Sequence, residues 1–119
     1  MNFKYTRIYA GPDGNTHFQD VEVPLTSEQG DQFKSILMKA TGIIFRITGP
    51  GYDLDWHPAS RKQFVITLEG EVDIVAGDGT TRRFGPGDIM LADDVNSKGH
   101  LSKAVGGKPR KSLFVTVET

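Results

Sequence analysis

Cysteine is absent from the 119-residue chain. That excludes disulfides, thiolate metal sites, iron–sulfur clusters and cysteine nucleophiles together, and it fits a reducing compartment. Long apolar runs are also absent: nothing approaches the ~20 residues a membrane-spanning helix needs. The N-terminal MNFKYTRIYA lacks the apolar centre of a signal peptide. Neither sign of charge is in excess, with 14 Lys and Arg against 15 Asp and Glu. The basic footprint of a nucleic-acid surface is therefore missing. These absences lead us to expect a cytoplasmic protein with neither nucleic-acid nor membrane partners.

Helical signal is equally sparse. Only residues 27–40 admit a helix, and their apolar positions (Phe33, Ile36, Leu37) are so few that one turn or a short helix is the most to expect. What is present is punctuation. The chain has 14 glycines and 6 prolines, and turn signals recur at 11–15, 48–51, 69–70, 77–79, 85–88, 96–99 and 106–109. Spacing of this kind marks an all-β sandwich or barrel. Between the turns lie segments rich in Val, Ile, Phe and Thr, which suit a pleated, half-buried surface: residues 16–23, 42–48, 63–68, 71–76, 80–84, 89–92, 101–105 and 113–118. Gly77-Asp78-Gly79 between EVDIVA and TTRRF reads as a hairpin. The length points to one domain over residues 1–119.

The chemistry-bearing residues are few. There are three histidines, His17, His57 and His100. Gly51, His57, Ala59, Gln63 and Gly70 form a spaced series, followed by Gly87-Asp88 in a tight turn. This pattern resembles the cupin family. Its first motif is Gly, five residues, His-x-His, three or four residues, Glu, six residues, Gly. Gly51, His57 and Gly70 keep that register. Ala59 stands in place of the second histidine and Gln63 in place of the glutamate. The second motif begins at Gly87-Asp88; its Pro-x-Gly and His slots hold Asp93, Val95 and Lys98. His100 follows two residues late, read as a longer loop, DDVNSKGH.

The resemblance implies an all-β double-stranded β-helix, the cupin jelly-roll barrel, with residues 1–41 as N-terminal strands and connector and 42–117 as the barrel. It also implies a site in the barrel mouth. Family members bind a divalent metal there; here the ligands would be His57, Gln63 and His100, holding Zn, Ni, Mn or Fe weakly because no anionic ligand is in the set. Asp93 or Asp94 could supply a carboxylate from the loop, and His17 could join if its strand lines the mouth. Alternatively, Gln63 hydrogen-bonds His57 and fixes its tautomer.

Read by residue type, His57 is the candidate acid/base, since a neutral imidazole titrates near working pH. Arg46 interrupts the apolar run GIIFRIT. It either faces solvent or binds an anion inside the barrel. Arg46, Trp56, Gln63 and His100 form the candidate substrate-binding set, and Tyr52 is a further aromatic beside them. Ser60 and Ser102 have no visible base and orienting partner, which argues against a serine triad. The expected function is binding of a small polar molecule, with carboxylates among the candidates, in the barrel mouth, and isomerase, lyase or cyclase chemistry at His57 with or without a weakly held divalent metal. The alternative is a non-catalytic binding or sensing module. Phe3, Tyr5, Ile8 and Tyr9 form an apolar N-terminal stretch able to dock on its own barrel or a neighbour's, and a homodimer is expected.

Overall fold

The computed structural model describes residues 2–118. Twelve strands run in chain order: β1 (Asn2–Ala10), β2 (Thr16–Pro24), β3 (Thr26–Glu28), β4 (Gln32–Lys34), β5 (Gly42–Thr48), β6 (Asp53–His57), β7 (Gln63–Glu69), β8 (Glu71–Val75), β9 (Thr81–Phe84), β10 (Ile89–Asp93), β11 (His100–Val105) and β12 (Arg110–Thr116). A six-stranded sheet, β2-β1-β10-β7-β12-β5, faces a four-stranded one, β6-β11-β8-β9. The protein is an all-β jelly-roll sandwich, with free edges at β2, β5, β6 and β9. No helix of the described residues is long and apolar enough to cross a membrane.

Residues 27–40 are where expectation and structure part. They hold the β3–β4 hairpin followed by an extended segment, with no helical turn among them. Gly30 at φ 80° and Asp31 at φ 60° form the hairpin turn. The apolar residues, clustered at 33–38, are too few to bury a helix face, and in the hairpin β pairing satisfies the backbone instead. The N-terminal stretch docks on its own sheet: β1 pairs antiparallel with β2 and parallel with β10. The first 41 residues thus supply two strands of the larger sheet rather than an appendage.

Period-two alternation sorts each strand. On β8, Val72 and Ile74 turn inward to join Ile8, Val65, Ala76, Phe84, Met90 and Ala92 in the core. Each fully buried aliphatic chain of this size contributes about 1.5–3 kcal/mol. Further along β5, β12 and β7 the same inner face turns polar: Thr48, Arg110, Ser112, Thr67 and Gln63 are buried. Arg82 and Arg83 lie on the edge strand β9, paired with Asp20 and Asp73, where charge blunts edge-to-edge association.

His17 lies away from this polar interior. Its Nε2 is 3.1 Å from Asp13 Oδ1 and its Nδ1 is 3.2 Å from Asp78 Oδ2. The hydrogen bond to Asp13, more than it is opposed by desolvation, raises the His17 pKa above 6.5. Asp13 is lowered chiefly by the same bond, and Asp78 chiefly by the Thr80 hydroxyl. A raised histidine stabilises the fold fully below its unfolded value and loses that contribution as pH rises through the folded value. At the acid end the contribution fades as the two carboxylates protonate. Replacing His17 by Asn should therefore lower the melting temperature more at pH 5.5 than at pH 9. An equal loss at both pH values in thermal unfolding would show the ion pairs to be without effect.

Candidate functional site

One cavity of about 220 Å³ opens between the sheets, lined by His57, Ala59, Gln63, His100, Arg46 and Arg110 among others. His57 ends β6 and His100 begins β11, and the two are cross-strand partners. Their ring centroids lie 4.5 Å apart. The two-residue longer loop thus returns His100 to a position opposite His57.

A β-bulge decides which side chains of β6 face inward. Ser102 pairs with Leu54 and His100 with His57, so β11 advances two residues where β6 advances three. The extra residue breaks the alternation. Leu54 and His57 both line the cavity, while Trp56 is 49% exposed and stands outside the lining. The structure therefore does not bring Trp56 to the other candidates; Tyr52 occupies the aromatic position instead. The Trp56 amide donates to the Asp55 carboxylate at 2.8 Å. His57 Nδ1–H donates to the Asp55 carbonyl at 2.6 Å. A carbonyl only accepts, so this bond sets the tautomer and leaves Nε2 of the neutral ring bare. Gln63 has no part in it: its Oε1 is buried without a partner.

His100 is held by a different acceptor. Its Nδ1–H donates to Asp94 Oδ2 at 2.6 Å, and Asp94 is 0% exposed. Asp94 Oδ1 accepts from the Ala59 amide at 3.2 Å, and Oδ2 accepts from the Ser97 hydroxyl at 3.4 Å. Ala59 thus contributes a backbone donor where the cupin pattern has an imidazole. Asp93 points elsewhere and pairs with Arg7 at 2.9 Å.

Arg46 is half-buried, its guanidinium 5.2 Å from the Tyr52 ring centroid and 5.0 Å from that of Phe114. Of its two anticipated environments, the structure shows the interior one. Arg110, which sequence reasoning passed over, is 5% exposed. Burial, then the like charge of Arg46, lower its pKa. Residues 106–109 read as a turn, and the strand was expected to begin only at 113. The available signal was parity: Arg110, Ser112, Phe114 and Thr116 share a face once the strand starts at 110. Asp94 was only a loop carboxylate by sequence, and its burial was not legible. His17 stays outside the cavity, between Asp13 and Asp78. Among the described residues no group of three or more His, Cys, Asp or Glu is arranged to hold a metal ion.

Two glycines allow the close approaches beneath these side chains. At Gly99 (φ 100°) an added Cβ would lie 2.6 Å from the His57 backbone N and C atoms. At Gly70 (φ 76°) it would lie 2.6 Å from the Pro109 carbonyl oxygen and 2.8 Å from Arg110 Cα.

No family model matches the chain, and no curated protein matches it. Among solved structures it is similar to a conserved protein of unknown function from Streptococcus pyogenes, with a TM-score of 0.53 and 21% identity over 71% of this chain and 70% of that one. A likeness at that identity shows the fold alone.

Gly99→Ala combines a disfavoured φ with a backbone clash. It should destabilise the protein by about 1–3 kcal/mol or more and shift the His57 ring resonances. A variant with wild-type stability and an unmoved His57 signal would show that the contact yields freely.

Proposed function

We propose that the cavity binds a small polar molecule and that His57 and His100 move a proton on it, in an isomerisation, dehydration, epimerisation or cyclisation. The observation that carries this reading is the imidazole pair. Both rings line one cavity, both have Nδ1 donating to a fixed acceptor, and both keep Nε2 for a ligand. A held tautomer removes the reorganisation that would precede proton transfer. Asp94 orients His100 and supplies a compensating charge for an imidazolium, as the acid of a triad does. Gln63, with an unpartnered buried oxygen, can accept from a ligand hydroxyl or amide.

The site is proposed as a cupin-type one, with Gly51, His57 and Gly70 in the family's register and His100 opposite His57. A divalent ion would fall to His57, Gln63 and His100. That set offers two imidazoles and a neutral amide; Asp94 is already spent on His100 and Ala59, and two guanidiniums share the space. It does not fit a tightly held cation, and the proposed proton transfer needs none. A cytoplasmic setting belongs to the same reading, resting on the cysteine-free composition. The alternative, a binding or sensing module without turnover, is favoured by Ala59 and Gln63 standing where the family pattern has ligands.

The two readings separate by solvent-deuterium incorporation. Small hydroxy and carbonyl compounds would be followed by NMR in heavy water with a chelator present. The wild type should exchange a substrate proton, and His57→Gln should lose about 10²–10⁴-fold in rate while melting within a few degrees of it. Binding without exchange would leave the sensing module; equal exchange in the variant would remove His57 as the base.

A second copy of this chain is the proposed partner. The outer face of the larger sheet is apolar, and residues 33–38 run along a groove there lined by Tyr5, Phe64, Ile66 and Val115. Beyond that cover, edge strand β5 leaves Ile43 53%, Phe45 78% and Ile47 67% exposed. An exposed apolar edge of this kind suits pairing with the same edge of a second copy. Light scattering should give twice the 13.1 kDa chain mass, and Phe45→Lys should shift the protein towards monomer. A monomeric wild type would overturn the assignment.

A further inference from the structure

We propose that the cavity takes a small carboxylate, its oxygens paired with the guanidinium of Arg110 and flanked by Arg46. The inference rests on the cavity being a ligand site, and it adds the class of ligand.

Arg110 is nearly fully buried, and among the described residues it forms no ion pair. Its polar contact is from Nη2–H to Thr67 Oγ1 at 3.1 Å; Nε–H is buried without an acceptor. Arginine is almost never fully buried unless paired, because an uncompensated charge in a low-dielectric interior is strongly unfavourable. The neighbouring charge is a second cation. Arg46 stands on the adjacent strand, opposite Ser112, while Arg110 stands opposite Thr48, so the two share the inner face two positions apart. The hydroxyls of Thr48 and Ser112 are also buried without partners. The cluster is thus rich in donors and has no anion of its own.

An anionic ligand completes it. The Nε–Nη edge of a guanidinium matches a carboxylate through two parallel hydrogen bonds, a geometry that lysine cannot reproduce. Gly70, pressed against Pro109 and Arg110, fixes the backbone from which the guanidinium extends. The cavity is about 220 Å³, so the acid is small. His57 and His100 belong to the facing sheet. A carboxylate seated at Arg110 therefore turns the other end of the molecule towards the imidazoles.

The competing role for Arg110 is a structural brace to Thr67, and the two differ in sign. A brace loses stability on truncation. A cation waiting for a ligand is relieved when an apolar side chain replaces it. The test uses the full chain with 15N-labelled histidine. Acetate, propionate, lactate and pyruvate would be titrated against propionamide as the neutral isostere and against inorganic phosphate. Thermal melting and the His57 and His100 ring signals would be recorded.

At least one of the acids should raise the melting temperature and move both histidines, with propionamide at least tenfold weaker. Arg110→Met should abolish that preference and, without ligand, melt as high as the wild type or higher. Should Arg110→Met not fold, Arg110→Lys and Arg46→Met carry the comparison, each expected to weaken acid binding about tenfold. Propionamide binding as well as propionate, or an unchanged preference in these variants, overturns the carboxylate while leaving a ligand site in place. Tighter binding of phosphate than of any acid overturns the class. If no acid, amide or phosphate perturbs the histidines, the inference falls together with the ligand-site reading.

Discussion

Asp94 is the contact on which the site's geometry depends. Its carboxylate is wholly buried and receives the His100 ring, the Ala59 amide and the Ser97 hydroxyl. These donors come from the start of β11, the loop after β6 and the loop after β10. A buried carboxylate stripped of its partners would be destabilising by about 3–5 kcal/mol, so the three segments are held where the donors converge. His57 follows, because Gly99 in the same loop lies against its backbone. The imidazole pair is thus positioned by desolvation of a charge that need not touch a ligand itself.

The interior of the sandwich is divided. Around Ile8, Val72, Ile74 and Phe84 it is an ordinary apolar core. Around Gln63, Ser112, Thr48 and Arg110 it is polar, and these four residues each leave a side-chain atom buried and unpartnered. Buried polar groups are generally hydrogen-bonded. A fold tends to break this rule where function is served, with the rest of the core offsetting the loss. The division also explains why β5 and β12, carrying polar residues inward, present Ile43, Phe45, Ile47 and Leu113 on their other face.

Much of the strand pattern was legible because alternation and turn chemistry are local. GIIFRIT is β5 to the residue, and the turns at 77–79 and 85–88 are where glycine and aspartate indicated. Residues 27–40 were ambiguous because Phe33, Ile36 and Leu37 have helical spacing but cover barely one turn, and pairing between Thr26–Glu28 and Gln32–Lys34 resolved the first part as a hairpin. For the site, His57, Gln63, His100 and Arg46 were legible by type and spacing. Trp56 fell outside because it is the chain neighbour of His57, and alternation sends adjacent strand residues to opposite faces; nothing in DLDWH announces the bulge that brings Leu54 and His57 to one face. Arg110 was hidden by its neighbours: Gly, Gly, Lys and Pro before it read as solvent-exposed turn.

The resemblance of the chain's motif spacing to the cupin pattern singled out His57. Composition and periodicity by themselves determined an all-β chain free of thiol chemistry. Those conclusions depend on side-chain type and on a two-residue repeat, and neither needs a partner strand. The tertiary structure alone decided that His57 meets His100, that Asp94 and Arg110 lie inside, and that His17 and Trp56 do not join them. Burial and charge compensation are set by what lies across the sheet, and residues decades apart in the chain become neighbours only when the strands pair.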